Sequence, residues 1–350
     1  MRPQFHSTNR VATRSAAARR GECDELIRAL GVVVFTLLFV GCNRASQDSN
    51  DAVLVLEEFA SDSVPSSYPV SGAVRGARYL AVWSSVTDTM LLKAHNGTEW
   101  EKLRLPTGRV LGVAFESDEL LSVIDSASIF RVASNGRVLS QLRMSLPFAP
   151  FAAVRARDKW IVAGRLSGGD VGLLALSSAD GSFSDVGVVS ARSVAAPRGD
   201  TSFFANAWLT WYRGELVVSS SQNPFRVFLI DEAGDQSRTL EPPYAAVDVQ
   251  RNTESAEWVG LHTHSLGCGY IQVLADLRSD MRRLIVYDED GSFLRESLVT
   301  VSLGILESDP VRKELIALRR FAHDEIVLYR WGWLGRDSTK GGRVCDETGR

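Results

Sequence analysis

The residues best able to do chemistry lie in the segment LHTHSLGCGY, which carries His262, His264 and Cys268. In an extended segment His262 and His264 fall on one face, because side chains alternate across a strand. Two imidazoles so placed can ligate a divalent cation. No second ligand cluster stands at a fixed spacing from them, so the competing reading is a pair of polar rings bonded to backbone. Glu116, Asp118, Asn206, Asp231 and Asp309 lie in connecting segments. They would form a metal site only by converging, and isolated acids in such places are usually solvated. Arg165 and Arg320 close inner strands and can bind an anionic ligand. Their competing reading is a pair of solvated charges at strand ends. The sequence has no GxSxG nucleophile elbow, no HExxH and no Gly-rich phosphate loop before a helix. No catalytic residue is therefore assigned, and no cofactor beyond the divalent cation that the histidines could hold.

These residues must be positioned by strands. From Val53 onward short β-rich runs alternate with turn signals, and no long helical period is visible. One unit recurs: an apolar strand, a turn and a second, alternating strand. MLLKA is followed by Asn96-Gly97 and WEKLRL, SIFRVA by Asn135-Gly136 and RVLSQLRM, and VGLLAL by Asp180-Gly181 and FSDVGVV. RVFLI is followed by Ala233-Gly234 and a polar strand, and RRLIVY by Asp290-Gly291 and SFLRESLV. Asn-Gly and Asp-Gly are the strongest short hairpin signals, and the type I′ turn they favour needs positive φ at both central residues. A sixth run, EIVLYRW from Glu325 to Trp331, matches the first half of the unit and lacks the second.

The strand centres recur every ~47 residues, the length of one four-stranded propeller blade. Two further strand candidates precede each hairpin, such as LGVAF and LLSVI before SIFRVA. The missing strand of the last unit has a donor in VLVLEEF, Val53 to Phe59. Its addition would close the ring and hide two sheet edges. Trp83, Trp160 and Trp208 fall in strands, where packing between blades is the plain expectation, and Trp331 and Trp333 flank the final strand at the closure seam.

Units such as RRLIVYDEDGSFLRESL resemble the repeats of NHL-like and TolB-like six-bladed β-propellers. The resemblance implies an all-β fold of six four-stranded antiparallel blades, with functional groups around a central channel. It also brings in the lactonase-like enzymes of this architecture, which hold a divalent cation with acidic and amide groups from several blades. The Trp-Asp ending of WD40 blades is absent.

The N-terminal segment gives an address. Ala29 to Gly41 is an apolar run behind Arg10, Arg14, Arg19, Arg20 and Arg28. At about 13 residues it is too short to span a bilayer as a helix and right for a secretory signal. Phe39, Val40, Gly41 and Cys42 resemble a lipobox, with Phe39 where Leu is usual. That resemblance implies cleavage before Cys42, its lipidation, and a lipid-anchored protein of the bacterial envelope; Asn43, in place of the Asp that often retains lipoproteins at the inner membrane, allows the periplasmic side of the outer membrane. The division expected is a signal peptide at 1–41, a polar tether at 42–52, a propeller at 53–334 and a polar tail at 335–350. Loss of residues 1–41 removes six Arg and three acids, taking the formal charge from −3 to −6. An acidic body without a Lys/Arg block argues against a nucleic-acid partner. Cys268 and Cys345 then remain in an oxidising compartment, where they can form a disulfide.

The function these features support is a lipid-anchored, monomeric binding or scaffolding module for an envelope protein, peptide or glycan. The alternative is a metal-dependent lactonase-like or lyase-like enzyme with its site in the channel.

Overall fold

The apolar runs are continuous where a half-buried strand would alternate, and continuous runs suit strands covered on both faces. The computed structural model describes residues 36–37, 53–65, 68–106, 109–167, 170–189, 207–220, 225–242, 258–276, 279–299, 302–320 and 324–334. Among these, every regular element is a strand. Two strands precede the blades, β1 (Thr36–Leu37) and β2 (Val53–Ser63). The first blade is β3 (Gly72–Arg75), β4 (Tyr79–Trp83), β5 (Thr89–Ala94) and β6 (Glu101–Arg104). The second is β7 (Val110–Ser117), β8 (Leu120–Asp125), β9 (Ser128–Ala133) and β10 (Val138–Arg143). The third is β11 (Ala149–Ala156), β12 (Lys159–Arg165), β13 (Val171–Ser177) and β14 (Phe183–Val189). The fourth is β15 (Trp208–Tyr212), β16 (Glu215–Ser219), β17 (Val227–Ile230) and β18 (Gln236–Leu240). The fifth is β19 (Trp258–Ser265), β20 (Gly269–Asp276), β21 (Arg282–Asp288) and β22 (Phe293–Val299). The last is β23 (Ser302–Asp309), β24 (Glu314–Arg320) and β25 (Asp324–Leu334), completed by β2. The chain is a six-bladed β-propeller.

Each middle strand serves two interfaces at once. On β4, Leu80 and Val82 pack toward the last blade while Ala81 packs toward the second. On β12, Ile161 and Ala163 face the fourth blade while Trp160 and Val162 face the second. A period of two with both faces apolar therefore produces the continuous runs seen in sequence. Trp160 is fully buried between the second and third blades, where its Nε1 donates to Ser122 Oγ at 3.1 Å. Gly112 makes room for that ring: a Cβ there would come within 2.8 Å of it and 2.9 Å of the Ala153 carbonyl oxygen.

The N-terminal strand closes the ring as expected and runs further than expected. β2 pairs antiparallel with β25 from Val53 opposite Leu334 to Ser63 opposite Glu325, passing a bulge between Glu58 and Ala60. The extra residues beyond Phe59 alternate less cleanly, which hid them in the sequence. Leu54 and Leu56 bury themselves against Tyr329 and Trp331 of β25. Arg319 of β24 then reaches Glu58 at 2.6 Å and Glu325 at 2.8 Å, tying three strands of the closing blade together. Trp331 and Trp333 lie within β25 and do not merely flank it. The two-residue β1 pairs with the outer edge of β2, inside the stretch read as an export signal.

The outer hairpins differ from the type I′ turns expected. Gly136, Gly181, Gly234 and Gly291 have positive φ, whereas Asn135, Asp180, Ala233 and Asp290 do not. This is the type I turn followed by a left-handed glycine, the other common short hairpin. Side chains favour it: Asn135 Oδ1 accepts the Arg137 N–H at 3.1 Å, and Asp180 Oδ1 accepts the Ser182 N–H at 3.0 Å. Such Asx turns hold the Asn or Asp at negative φ and leave only the glycine to turn the chain. Asn96-Gly97 is not a tight hairpin, since β6 resumes only at Glu101. Arg213-Gly214, between β15 and β16, is the pair with positive φ at both positions.

Candidate functional site: the central channel

The innermost strands β3, β7, β11, β15, β19 and β23 surround a cavity of about 750 Å³ on the ring axis. Their first residues define one mouth and their last residues the other. Apolar and aromatic groups form most of the wall, including Trp83, Phe151, Trp208 and Trp211. The charged side chains on the lining are Arg109, Arg155, Arg282, Arg320 and Glu307. A cavity of this size and mixed character is what ligand sites look like in general.

Three arginines gather at the mouth where the inner strands begin. Arg109 precedes β7, Arg320 lies opposite Ser302 at the start of β23, and Arg282 lies opposite Ala275, itself paired near the start of β19. Arg320 is about half-exposed and approaches Asp324 at 3.6 Å. Arg282 donates to the Met281 carbonyl at 2.8 Å. Burial lowers the Arg282 pKa, Asp280 opposes that, and the nearby charge of Arg320 adds to the lowering. Arg165 lies opposite Ala149, the first residue of β11, so it shares this rim; it is exposed and off the cavity lining. Both predicted arginines end second strands, β12 and β24, and not inner strands. Antiparallel pairing brings the end of a second strand beside the beginning of an inner one, which keeps both residues at the same mouth.

The two histidines are brought together on β19. Their ring centroids are 5.5 Å apart, and a bulge between Gly260 and Thr263 lets His262 turn toward the channel. His262 packs on Trp208 at 4.2 Å between centroids, and its Nδ1 is buried without a hydrogen-bond partner among the described residues. His264 donates from Nε2 to the Ile305 carbonyl at 3.2 Å, which leaves Nδ1 as its free lone pair. Burial drives the His262 pKa down to about 3, with a smaller push from His264, and burial likewise drives His264 down to about 4. Both rings are neutral at physiological pH, the form that binds metals.

Near the opposite mouth stands Glu307, which no motif marked. It and Ser308 are shared by the main cavity and a smaller one of about 260 Å³ that opens beside Arg75, Tyr212 and Glu314. Glu307 Oε2 accepts the backbone N–H of Arg75 at 2.9 Å. The Arg75 guanidinium is committed elsewhere, to Glu314. Burial therefore pushes the Glu307 carboxyl up to about 8, against the lowering effect of the Arg75 N–H. One residue in sequence could have pointed here: the glutamate that ends the otherwise apolar run LGILE.

The other acids do not converge. Glu116 pairs with Arg131 at 2.9 Å and lies 3.9 Å from Arg155. Asp231 and Asp309 accept backbone N–H groups of their own turns. Asn206 lies outside the described residues. Among the described residues no group of three or more His, Cys, Asp or Glu side chains could hold a metal ion. Cys268 is buried and disulfide-bonded, in the cluster that holds Leu54 and Trp331. Cys42 and Cys345, the expected lipidation site and disulfide partner, lie outside the described residues.

Among solved structures, the chain is similar to a luciferin-regenerating enzyme at 11% sequence identity and a TM-score of 0.51, covering 79% of this chain and 96% of that one. It also aligns with the WD40 domain of Neurospora crassa Pan2 at 10% identity and a TM-score of 0.48, covering 81% and 97%. At such identity the first likeness shows the propeller architecture alone. No protein-family model matches the chain, and no curated protein matches it.

Proposed function

We propose that the protein is a lipid-anchored envelope propeller of the NHL-like or TolB-like kind, acting as a monomeric binding module whose ligand enters the central channel. The observation that carries this reading is the lining itself: aromatic walls with Arg109, Arg282 and Arg320 at one mouth. Guanidinium groups beside an apolar wall suit a ligand with an anionic group on an apolar body. The apolar run ending at Cys42 supports the anchor and the periplasmic address. Cys268 and Cys345 are the disulfide proposed for that compartment, and Arg165 adds positive charge at the rim.

Benzoate titrated into the full chain in detergent, followed by tryptophan fluorescence, tests the channel reading, with benzamidine as the cationic control. Benzoate should change the emission of the wall tryptophans, and Arg320→Gln should weaken it severalfold. Equal binding by the two probes, or by wild type and variant, would remove the reading.

One observation favours a metal-dependent lactonase-like or lyase-like activity: the Nδ1 of His262, which has no hydrogen-bond partner among the described residues, beside His264. A melting temperature that falls on chelation and is restored by one of Ca²⁺, Mg²⁺ or Zn²⁺ would bring it forward.

A further inference from the structure

We infer that the channel ligand carries a cationic group as well as an anionic one, and that it is a short extended peptide with its carboxylate at the arginine mouth and its ammonium at Glu307. This rests on the channel reading above, which asks only for the anionic group.

Glu307 is an acid facing a cavity with no ion-pair partner among the described residues. Its one hydrogen bond comes from the Arg75 backbone. The charged and titratable groups around it are otherwise occupied or exert only a distant field. Arg75 is paired with Glu314, Arg312 lies 3.6 Å from Asp309, and Tyr212 lines the smaller cavity without bonding Glu307. Neighbouring Asp309 adds to the difficulty of ionising Glu307, while Arg312 and Arg75 ease it. A desolvated carboxyl in this position is neutral near pH 7 until a cation reaches it. An ammonium arriving in the channel makes the carboxylate the favoured form, so Glu307 loses its proton to solvent as the ion pair forms.

The spacing selects the length. Arg320 lies opposite Ser302 and Glu307, past the bulge after Ile305, lies opposite Ile316, four ladder steps away, about 13 Å at strand rise. An extended tetrapeptide spans roughly 13 Å, which matches that distance. Apolar side chains of such a peptide would meet Trp83, Phe151, Trp208 and Trp211. The channel thus has three arginines at one mouth and an apolar wall between; at the other mouth Arg155 is turned to Glu116 at 3.9 Å, and Glu307 is the lining acid that the ammonium of a peptide with free termini would meet.

Isothermal titration of the full chain in detergent at pH 7, with Ala-Leu-Phe-Ala, its N-acetyl form and its C-terminal amide, tests this. Runs in imidazole and Tris buffers report proton transfer. The free peptide should bind with release of a proton, and N-acetylation should weaken it at least tenfold and abolish the release. Glu307→Gln should bind the free and acetylated peptides equally and melt no lower than wild type; the wild-type comparison stands by itself should the variant not fold. Equal binding of the free and acetylated peptides by wild type, or no binding of the free peptide at millimolar concentration, would overturn the inference. Loss of affinity on amidation alone would overturn it and leave the anion reading in place, whereas failure of the benzoate titration would remove both.

Discussion

Arg319 and Glu307 belong to the same closing blade, yet the protein treats their charges in opposite ways. At the seam, Arg319 holds two carboxylates, Glu58 and Glu325, and each bond spans a strand boundary. In the channel, Glu307 receives one backbone N–H and no cation among the described residues. A charge that serves the fold is saturated by the fold, because an unpaired buried charge is expensive. A charge that the fold leaves unsaturated in a cavity keeps its electrostatic interaction for something that enters. The same contrast separates Trp160, whose Nε1 is bonded to Ser122 deep between blades, from His262, whose Nδ1 has no partner among the described residues.

Substitutions can break this comparison from either side. The largest effect is expected at the seam: Leu56→Ala empties a fully buried site between β2 and the fifth blade and should cost about 3 kcal/mol in urea unfolding. Ligand binding per folded molecule should be unchanged. Next is Glu307→Gln, whose effect depends on pH. The folded carboxyl titrates near 8 against an ordinary value of 4.5. Its contribution to stability is therefore full below pH 4.5 and is lost as pH rises through 8. The glutamine variant should match wild type at pH 4.5 and be the more stable of the two at pH 8.5. Arg319→Met should cost about 1 to 2 kcal/mol in urea unfolding, because it strands two partly buried carboxylates. The smallest effect belongs to Arg165→Gln: the residue is exposed and off the lining, so stability should stay within about 0.5 kcal/mol and benzoate binding should stay close to wild type.

Much of the ring was legible because blades are local. The recurring turn and VLVLEEF are each written in contiguous residues, and the strand count, blade count and closure follow from them. Turn type was less legible, since Asn-Gly and Asp-Gly serve two hairpin geometries and the side-chain bonds of Asn135 and Asp180 choose between them. The channel was least legible. Its wall takes a few residues from each of six strands that are far apart in sequence, and no spacing announces that Arg109, Arg282 and Arg320 share one mouth. Arg320 was singled out for its position at a strand end, while Arg282 opens RRLIVY and reads as an ordinary strand charge. Glu307 was hidden by the bulge between Ile305 and Glu307, which turns the residue away from the face that simple alternation assigns it.

The central claim is that the ligand occupies the channel, and Gly304 offers the most direct test. It lies on the lining, and a Cβ built there meets nothing within 4 Å, so a large side chain can project into the cavity without displacing the wall. Benzoate should be titrated into wild type and Gly304→Phe, with melting temperatures measured in parallel. Unchanged melting with loss of binding is the predicted result, and benzoate bound equally well by a folded Gly304→Phe would contradict the account.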